Sequence, residues 1–230
     1  MRGWAFFLVL VLATGASAAE PVRLARATSA SAFPRIAAPR TPATAKINAA
    51  LSRLDRRWAG FMKECAAGGK DADAVRRVET PMAGPRFLSL VARDEELCGG
   101  AHPDNDTLPL VYDLDAGRPV DWRRLLGPRL VTEMAVDTVI DGTPIGVIAS
   151  RTLQGLYVRA AKPNSDCAEV LADPGLKFVA WLDARKRGIV IEPVLPHVTR
   201  ACGDEQTVPL EELRRLGADP ALTSALATGR

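Results

Sequence analysis

The stretch FLSLVARDEELCGGAHP, Phe87–Pro103, is the segment on which the expected fold depends most. Its apolar first half is typical of a buried strand, and we predict a strand over Arg86–Arg93. The strand runs into a cysteine, two glycines and one of the two histidines of the chain: Cys98, Gly99, Gly100 and His102. Because glycine tolerates backbone angles that other residues avoid, the segment predicts a strand followed by a sharp bend.

The region before this strand predicts a helix and a partner strand. Apolar residues recur every three or four positions and mark one face of a helix that begins near Thr44 and stops at Gly68-Gly69: Ile47, Leu51, Leu54, Trp58, Phe61 and Cys65. A strand over Ala74–Thr80 then precedes the turn PMAGP.

The region after the bend predicts two hairpins and several helices. Alternating apolar residues predict a hairpin over Leu108–Trp122, and a second hairpin is predicted over Lys177–Leu182 and Ile189–Glu192, around the turn DARKRG. Helical patterns cover the following segments: Pro128–Ile140, Ile145–Ala161, Ser165–Leu171 and the stretch after Val208, which ends at Gly217. The expected fold class is α+β, an antiparallel sheet of hairpins flanked by helices in one disulfide-stapled domain over residues 44–220.

The chain ends have their own signals. Residues 1–18 have the pattern of a secretory signal peptide, with a charged start, an apolar core and Ala16-Ser17-Ala18 before the cleavage position. The Pro- and Ala-rich residues 19–43 predict a linker that is mostly disordered, and residues 221–230 a tail. Since the sequence has no later apolar stretch of about 20 residues, we expect a periplasmic or secreted bacterial protein without a membrane span after cleavage.

Four cysteines in an exported chain predict two disulfides. Three pairings are open, and we favour Cys65–Cys98 with Cys167–Cys202 because each pair is local and closes a loop of similar size. A zinc site is the competing interpretation. The chain has no C-x-x-C pair and its histidines lie far apart, so we predict no metal.

Composition argues against nucleic acid as a partner. The net formal charge is +3, and basic and acidic residues are interspersed rather than clustered. Aromatic residues are scarce, and three tryptophans lie in apolar patterns that predict core positions: Trp58, Trp122 and Trp181.

The bend carries the candidate site. His102 has two interpretations: a ring that hydrogen-bonds carbonyls within the turn, or a binding or catalytic group on an exposed loop. His197 approaches it if the hairpins pack face to face. Asp104, Asn105 and Asp106 have the spacing of a calcium loop without its glycine and distant glutamate, so we predict a solvated polar loop. Nucleotide-binding and serine-hydrolase motifs are lacking, and we predict no cofactor.

Four segments in this order resemble a known extracellular domain: FLSLVARDEELCGGAHP, LPLVYDLDAGRPVDWRRLL, GIVIEPVLPH and TVPLEELRRL. The domain is of unknown function and is shared by RsiV-type lysozyme-sensing anti-sigma factors and secreted peptidoglycan deacetylases. The resemblance covers about Ile47 to Leu216, and Gly99-Gly100-Ala101-His102 is its most specific part. Leu97-Cys98 stands where the family usually has an aromatic residue, and the four cysteines are not part of the general pattern.

The resemblance implies an α+β fold and a binding role rather than chemistry, since in one branch the domain binds lysozyme. We therefore expect a non-enzymatic domain that binds a lysozyme-like protein or peptidoglycan through Gly99–Asp106. The candidate ligand-binding residues are Gly99, Gly100, His102, Asp104, Asp106 and His197, and we predict no catalytic residue. Two alternatives remain: a small hydrolase of envelope polymers that uses His102 with an adjacent Asp, and a purely structural secreted module.

Overall fold

The computed structural model describes residues 20–99 and 102–228. The predicted signal peptide and Gly100 lie outside these residues. The strands are Leu24–Ala25 (β1), Arg35–Ile36 (β2), Asp73–Ala83 (β3), Phe87–Leu97 (β4), Asp104–Asp113 (β5), Arg118–Pro119 (β6), Glu133–Thr138 (β7), Pro144–Ala149 (β8), Phe178–Asp183 (β9), Gly188–Pro193 (β10) and Gln206–Pro209 (β11). The helices are Pro42–Ala66 (α1), Trp122–Leu126 (α2), Arg151–Ala161 (α3), Ser165–Leu171 (α4), Leu210–Leu216 (α5) and Pro220–Thr228 (α6), with a 3-10 helix over His197–Cys202.

Two antiparallel sheets form the centre of the molecule. One has the strand order β3-β4-β5-β6 and the other β11-β10-β9-β8-β7, while β1 and β2 form a separate two-stranded ribbon. The two larger sheets meet at β9, which contacts β3, β4 and β5. The prediction of an α+β fold with antiparallel sheets flanked by helices is confirmed.

Strand β4 explains why Phe87–Ala92 is apolar at every position except Ser89. The strand pairs with β3 on one side and with β5 on the other, and its first six residues are all buried. Because consecutive side chains point to opposite faces of a sheet, burial of all six means that both faces of β4 are covered here, so the usual apolar–polar alternation is absent. The predicted tryptophan positions are also correct, because Trp58, Trp122 and Trp181 are all buried.

Helix α1 begins three residues earlier than the apolar periodicity predicts. Thr41, not Thr44, is the N-cap: the Thr41 hydroxyl accepts from the Thr44 amide at 3.2 Å, and the Thr44 hydroxyl accepts from the Thr41 amide at 3.3 Å. This reciprocal pair is a capping box, and Pro42 suits the first helical position. The buried face is formed by the predicted residues, including Ile47, Leu51, Trp58 and Cys65.

The predicted disordered linker over residues 19–43 is a part of the fold from residue 20 onward. Phe33 is 1% exposed and Ile36 is buried beside it in the core. Helix α1 holds both backbones: the Asp55 carboxylate accepts from the Phe33 amide at 3.1 Å, and Asn48 bonds both the amide and the carbonyl of Ile36. Two isolated apolar residues between prolines have no periodicity, so only the packing shows that they are core.

The predicted C-terminal tail over residues 221–230 is likewise ordered as far as the structure describes it. Helix α6 covers Pro220–Thr228, and both Leu222 and Leu226 are fully buried against the core. The Asp219 amide donates to the Leu125 carbonyl at 2.8 Å, which fixes the start of this helix.

The predicted helix over Pro128–Ile140 is wrong, and the one over Ile145–Ala161 is correct only in its second half. Glu133–Thr138 and Pro144–Ala149 pair as an antiparallel hairpin, β7–β8, and helix α3 starts at Arg151 after its N-cap, Ser150. The apolar spacing fits both periods over such short runs. The β-branched residues and Gly142, which has a positive φ of 74°, favour strands joined by a turn.

The predicted hairpin over Leu108–Trp122 is correct only in its first half, because β5 pairs with just two residues, Arg118–Pro119, and Trp122 begins helix α2 after its N-cap, Asp121. Most of the other elements match the predictions. Helix α4 has the predicted bounds, the hairpin β9–β10 is present, and helix α5 ends at Gly217 in the left-handed conformation. Cys65 is bonded to Cys98 and Cys167 to Cys202, as predicted from their local spacing. Within residues 20–99 and 102–228, no helix is both long and apolar enough to cross a membrane.

Candidate functional site: an acidic cleft

A cleft of about 930 Å³ opens at one end of the five-stranded sheet. Its walls come from the start of β5, the end of β7, helix α4, the end of β10 and the 3-10 helix. Seven carboxylates line it: Asp104, Asp106, Asp137, Asp166, Glu169, Asp173 and Glu192. The basic side chains in the lining are Lys177 and Arg200, beside His197, and we call this site the acidic cleft.

The cleft exists because the five-stranded sheet splits into two hairpins. β7 pairs with β8 at six positions and β9 with β10 at six, whereas β8 meets β9 only where Ile148 lies opposite Phe178. Beyond that point the two hairpins diverge, and Ile145 from β8 and Val179 from β9 become apolar residues of the cleft wall. The site therefore combines an apolar interior with a carboxylate-rich rim.

Glu192 is the most enclosed of these carboxylates. Its Oε1 and Oε2 lie 2.9 and 3.1 Å from the hydroxyl of Thr107, which donates to them, and Arg93 Nη1 lies 3.4 Å from Oε2. Burial raises the pKa of Glu192, although Thr107 and Arg93 pull it in the opposite direction. Arg93 also donates to Glu205 at 2.7 Å, so its charge is shared between two carboxylates.

Asp106 connects three walls of the acidic cleft. It lies on β5, accepts from the Ile140 amide of the β7–β8 turn at 2.6 Å, and pairs with Arg200 of the 3-10 helix at 3.4 Å. Arg200 also lies 4.0 Å from Asp104. Burial raises the pKa of Asp106, and the Ile140 amide and Arg200 oppose that rise.

The two histidines meet beside the cleft. The ring centroids of His102 and His197 are 6.1 Å apart, and the ring planes are inclined by 19°. His197 Nδ1 lies 3.7 Å from Asp104 Oδ1. Both histidines are exposed, and the described residues provide no hydrogen bond to the His102 ring.

Gly99 forms the bend that brings His102 to this position. Its φ is 89°, and a Cβ on Gly99 would lie 3.2 Å from the Gly68 carbonyl oxygen. Only glycine adopts that conformation without strain at so close an approach. The disulfide Cys65–Cys98 precedes the bend and holds it against the end of α1.

The described side chains offer little to a metal ion. The one group of three ligand-type side chains found within ligand range among the described residues is Cys65, Glu96 and Cys98. Its two sulfurs are already joined in a disulfide, so they are not thiolate ligands. The chemistry that the acidic cleft supports is the binding of a cation by carboxylates, with Asp106 and Glu192 as groups that hold protons to higher pH.

Sequence reasoning found part of this site and missed part of it. The structure brings together His102, His197, Asp104 and Asp106, although Asp104 and Asp106 begin a strand instead of lying in the predicted polar loop. Glu192 and Arg200 were missed. Glu192 has a signal, since it is the one charged residue in the apolar run GIVIEP and a buried strand rarely carries an unpaired carboxylate. The rim residues of α4 have no such signal.

No protein-family model matches the chain, and a search of the curated proteins finds no match either. Among solved structures, the chain is similar to the crystal structure of a DUF3298 family member from Bacteroides fragilis. The two share 16% sequence identity over 80% of this chain and 69% of that chain, with a TM-score of 0.47. At this distance the similarity assigns neither a family nor a function.

Proposed function

We propose that this chain is an exported, non-enzymatic binding domain of the bacterial cell envelope, and that its acidic cleft binds a basic protein of the lysozyme type. The observation that carries the proposal is the concentration of seven carboxylates around an apolar interior. The whole chain has a net charge of +3, so this negative region is local and not a consequence of overall composition. A negative cleft attracts a positively charged partner and speeds its association.

Charge favours one of the two ligands that the sequence resemblance suggests. Peptidoglycan carries carboxylates on its peptides, which the cleft repels, whereas a basic protein offers lysine and arginine. The ion pairs within the cleft support binding of a ligand's cation in place of a cation of the chain itself. Arg200 is held by Asp104 and Asp106 at its edge, and a ligand's cation competes for the same oxygens. Export is supported by the signal-like leader and by the two disulfides.

Calorimetry with hen egg-white lysozyme tests the proposal. The cleft variant replaces three exposed rim carboxylates by amides: Asp166→Asn, Glu169→Gln and Asp173→Asn. A matched control removes three exposed carboxylates elsewhere: Glu64→Gln, Asp71→Asn and Glu211→Gln. Both variants change the net charge equally, so a difference between their affinities for lysozyme is due to the position of the carboxylates.

We expect the cleft variant to bind lysozyme about tenfold more weakly than the native chain and the control to stay within about twofold. Equal weakening in both variants, or no binding by the native chain, contradicts the proposal. If the chain binds a muropeptide and not lysozyme, the ligand is peptidoglycan and the proposed basic protein is wrong.

One observation favours the hydrolase alternative. Asp106 and Glu192 share the cleft, and burial raises the pKa of both carboxyls, as is typical of general acids in glycoside hydrolysis. Release of soluble fragments from peptidoglycan, lost in Glu192→Gln and in His102→Ala with both variants folded, would establish that alternative. A chain that neither binds nor hydrolyses these ligands would support the purely structural role.

A further inference from the structure

Strand β7, Glu133–Thr138, ends the five-stranded sheet, and its outer edge has no strand partner among the described residues. The strand is also exposed on one face: Val136 is 75% exposed, the highest value for a large apolar side chain in any described strand. Natural proteins usually protect such edges, because an unpaired strand accepts another chain.

The backbone groups on this edge can be assigned from the hairpin ladder. The Val139 amide donates to the Thr143 carbonyl at 3.0 Å, so these residues form a hydrogen-bonded pair. Bonded and non-bonded pairs alternate in an antiparallel ladder, which directs the amides and carbonyls of Ala135 and Asp137 towards β8. Those of Met134, Val136 and Thr138 therefore face outward.

The Thr138 amide gives independent support for this assignment. It donates to the carboxylate of Asp137, its own neighbour, at 2.8 Å and not to a strand. An outward amide that finds a local acceptor is what an unpaired edge produces.

We propose that the outer edge of β7 accepts an extended segment of the basic partner as an additional strand, which brings a lysine or arginine of that segment to the acidic cleft. The inference rests on the proposed function and names how the partner is held. The edge and the cleft are continuous, because Asp137 and Thr138 belong both to β7 and to the cleft lining. Main-chain bonds along the edge supply attachment, and the carboxylates select the side chain.

The charges of β7 favour a basic segment as the occupant. Glu133 and Asp137 lie on one face of the strand, and Asp137 lies in the cleft. A second copy of β7, paired antiparallel around Ala135, would place Glu133 opposite Asp137, and like charges directly opposite one another are destabilising. A basic segment places opposite charges there.

Two variants at one position test the edge. Val136→Pro removes an outward amide, and proline is tolerated on an edge strand where the amide faces solvent. Val136→Thr keeps the amide and the β-branched shape. The probe is a nine-residue synthetic peptide that alternates lysine and valine, with a second version that is N-methylated at alternate residues.

We expect Val136→Pro to bind the peptide at least tenfold more weakly than the native chain and Val136→Thr to stay within about twofold. We also expect the native chain to lose affinity for the N-methylated peptide.

Equal binding of both peptides overturns the inference, even if Val136→Pro fails to fold. Unchanged affinity in a folded Val136→Pro also overturns it. If the rim-carboxylate variant loses affinity while Val136→Pro does not, the proposed function stands and the edge inference fails. A native dimer that Val136→Pro dissociates would identify a second copy as the occupant and overturn the proposal.

Discussion

The imidazole rings of His102 and His197 stack with centroids 6.1 Å apart, although the two residues lie next to strands of different sheets. His102 precedes β5 and His197 follows β10, so the pair marks the place where the ends of the two sheets meet. His197 contributes to the cleft lining and lies 3.7 Å from Asp104. His197 is therefore placed where a ligand of the acidic cleft would contact it, and His102 lies beside it at the edge of the cleft.

His102→Ala separates a binding role from a structural one. Because the ring is exposed, we expect the free energy of unfolding to change by less than about 0.5 kcal/mol, while affinity for lysozyme falls several-fold. Thermal unfolding and calorimetry measure the two quantities, with His197→Ala as the companion variant. A large loss of stability with unchanged affinity would favour the structural interpretation of the bend.

Arg76→Ala tests the buried charge cluster between the sheet and the β7–β8 turn. Arg76 donates to Asp94 at 2.7 Å and to Asp141 at 3.0 Å, and all three side chains are fully buried. The guanidinium also lies over the Trp58 ring at 4.2 Å. Loss of the cation leaves two buried carboxylates unpaired, so we expect a cost of about 3–5 kcal/mol in urea unfolding.

The next residue provides the matched control for this cost. Arg77 pairs with Glu95 at 2.5 Å across the same two strands, but these side chains are 63% and 57% exposed. We expect Arg77→Ala to cost less than about 1 kcal/mol, since water screens exposed pairs. Similar costs for the two variants would show that burial is not what makes the first pair important.

Glu192→Gln tests the pH dependence that follows from the buried carboxyl. Burial raises the pKa of Glu192 above its ordinary value of 4.5, so the folded chain holds this proton more tightly than the unfolded chain does. The contribution to stability is fully present below about pH 4.5 and is lost as the pH rises through the folded pKa.

The amide of the Glu192→Gln variant does not titrate. We therefore expect the variant's free energy of unfolding to fall less than that of the native chain between about pH 4 and pH 7. Urea unfolding at several pH values measures the slope. Parallel curves for Glu192→Gln and the native chain would contradict the direction of the shift.

Removal of either disulfide should cost a similar amount of stability but have different effects on binding. The sequence separations are 33 and 35 residues, for which the loop-entropy relation gives about 3.7 kcal/mol each. Cys167–Cys202 joins α4 to the 3-10 helix, and both elements line the acidic cleft. We therefore expect Cys167→Ala with Cys202→Ala to weaken lysozyme binding more than Cys65→Ala with Cys98→Ala. Equal losses of affinity would contradict this assignment of the second disulfide.

Much of the fold can be predicted from short stretches of sequence. The apolar runs of β4, β9 and β10, and the start and stop signals of α4 and α5, act within a few residues. The pairing of Cys65 with Cys98 also follows from local spacing. These features are predictable because the period of side chains along a helix or strand is a local property of the backbone.

Other features depend on contacts that a local pattern does not contain. The apolar spacing on either side of Asp141–Pro144 fits a helical period, yet residues 133–149 form the β7–β8 hairpin. Its turn is held by the bonds of Asp141 to Arg76 and of the Ile140 amide to Asp106. Phe33 and Ile36 are core residues because α1 supplies hydrogen bonds to their backbones. In each case the deciding partner lies far away in the chain.

The candidate site likewise contains features that the sequence predicts and features that only the tertiary structure identifies. From the sequence alone come the glycine bend at Gly99, the histidines and the acidic start of β5, because each is visible as an unusual residue in its setting. The tertiary structure alone decided that His197, Asp106 and Glu192 surround one cleft, since that depends on the divergence of β8 from β9 after Phe178. Side-chain convergence is a property of how hairpins pack, and packing is set by contacts between distant residues.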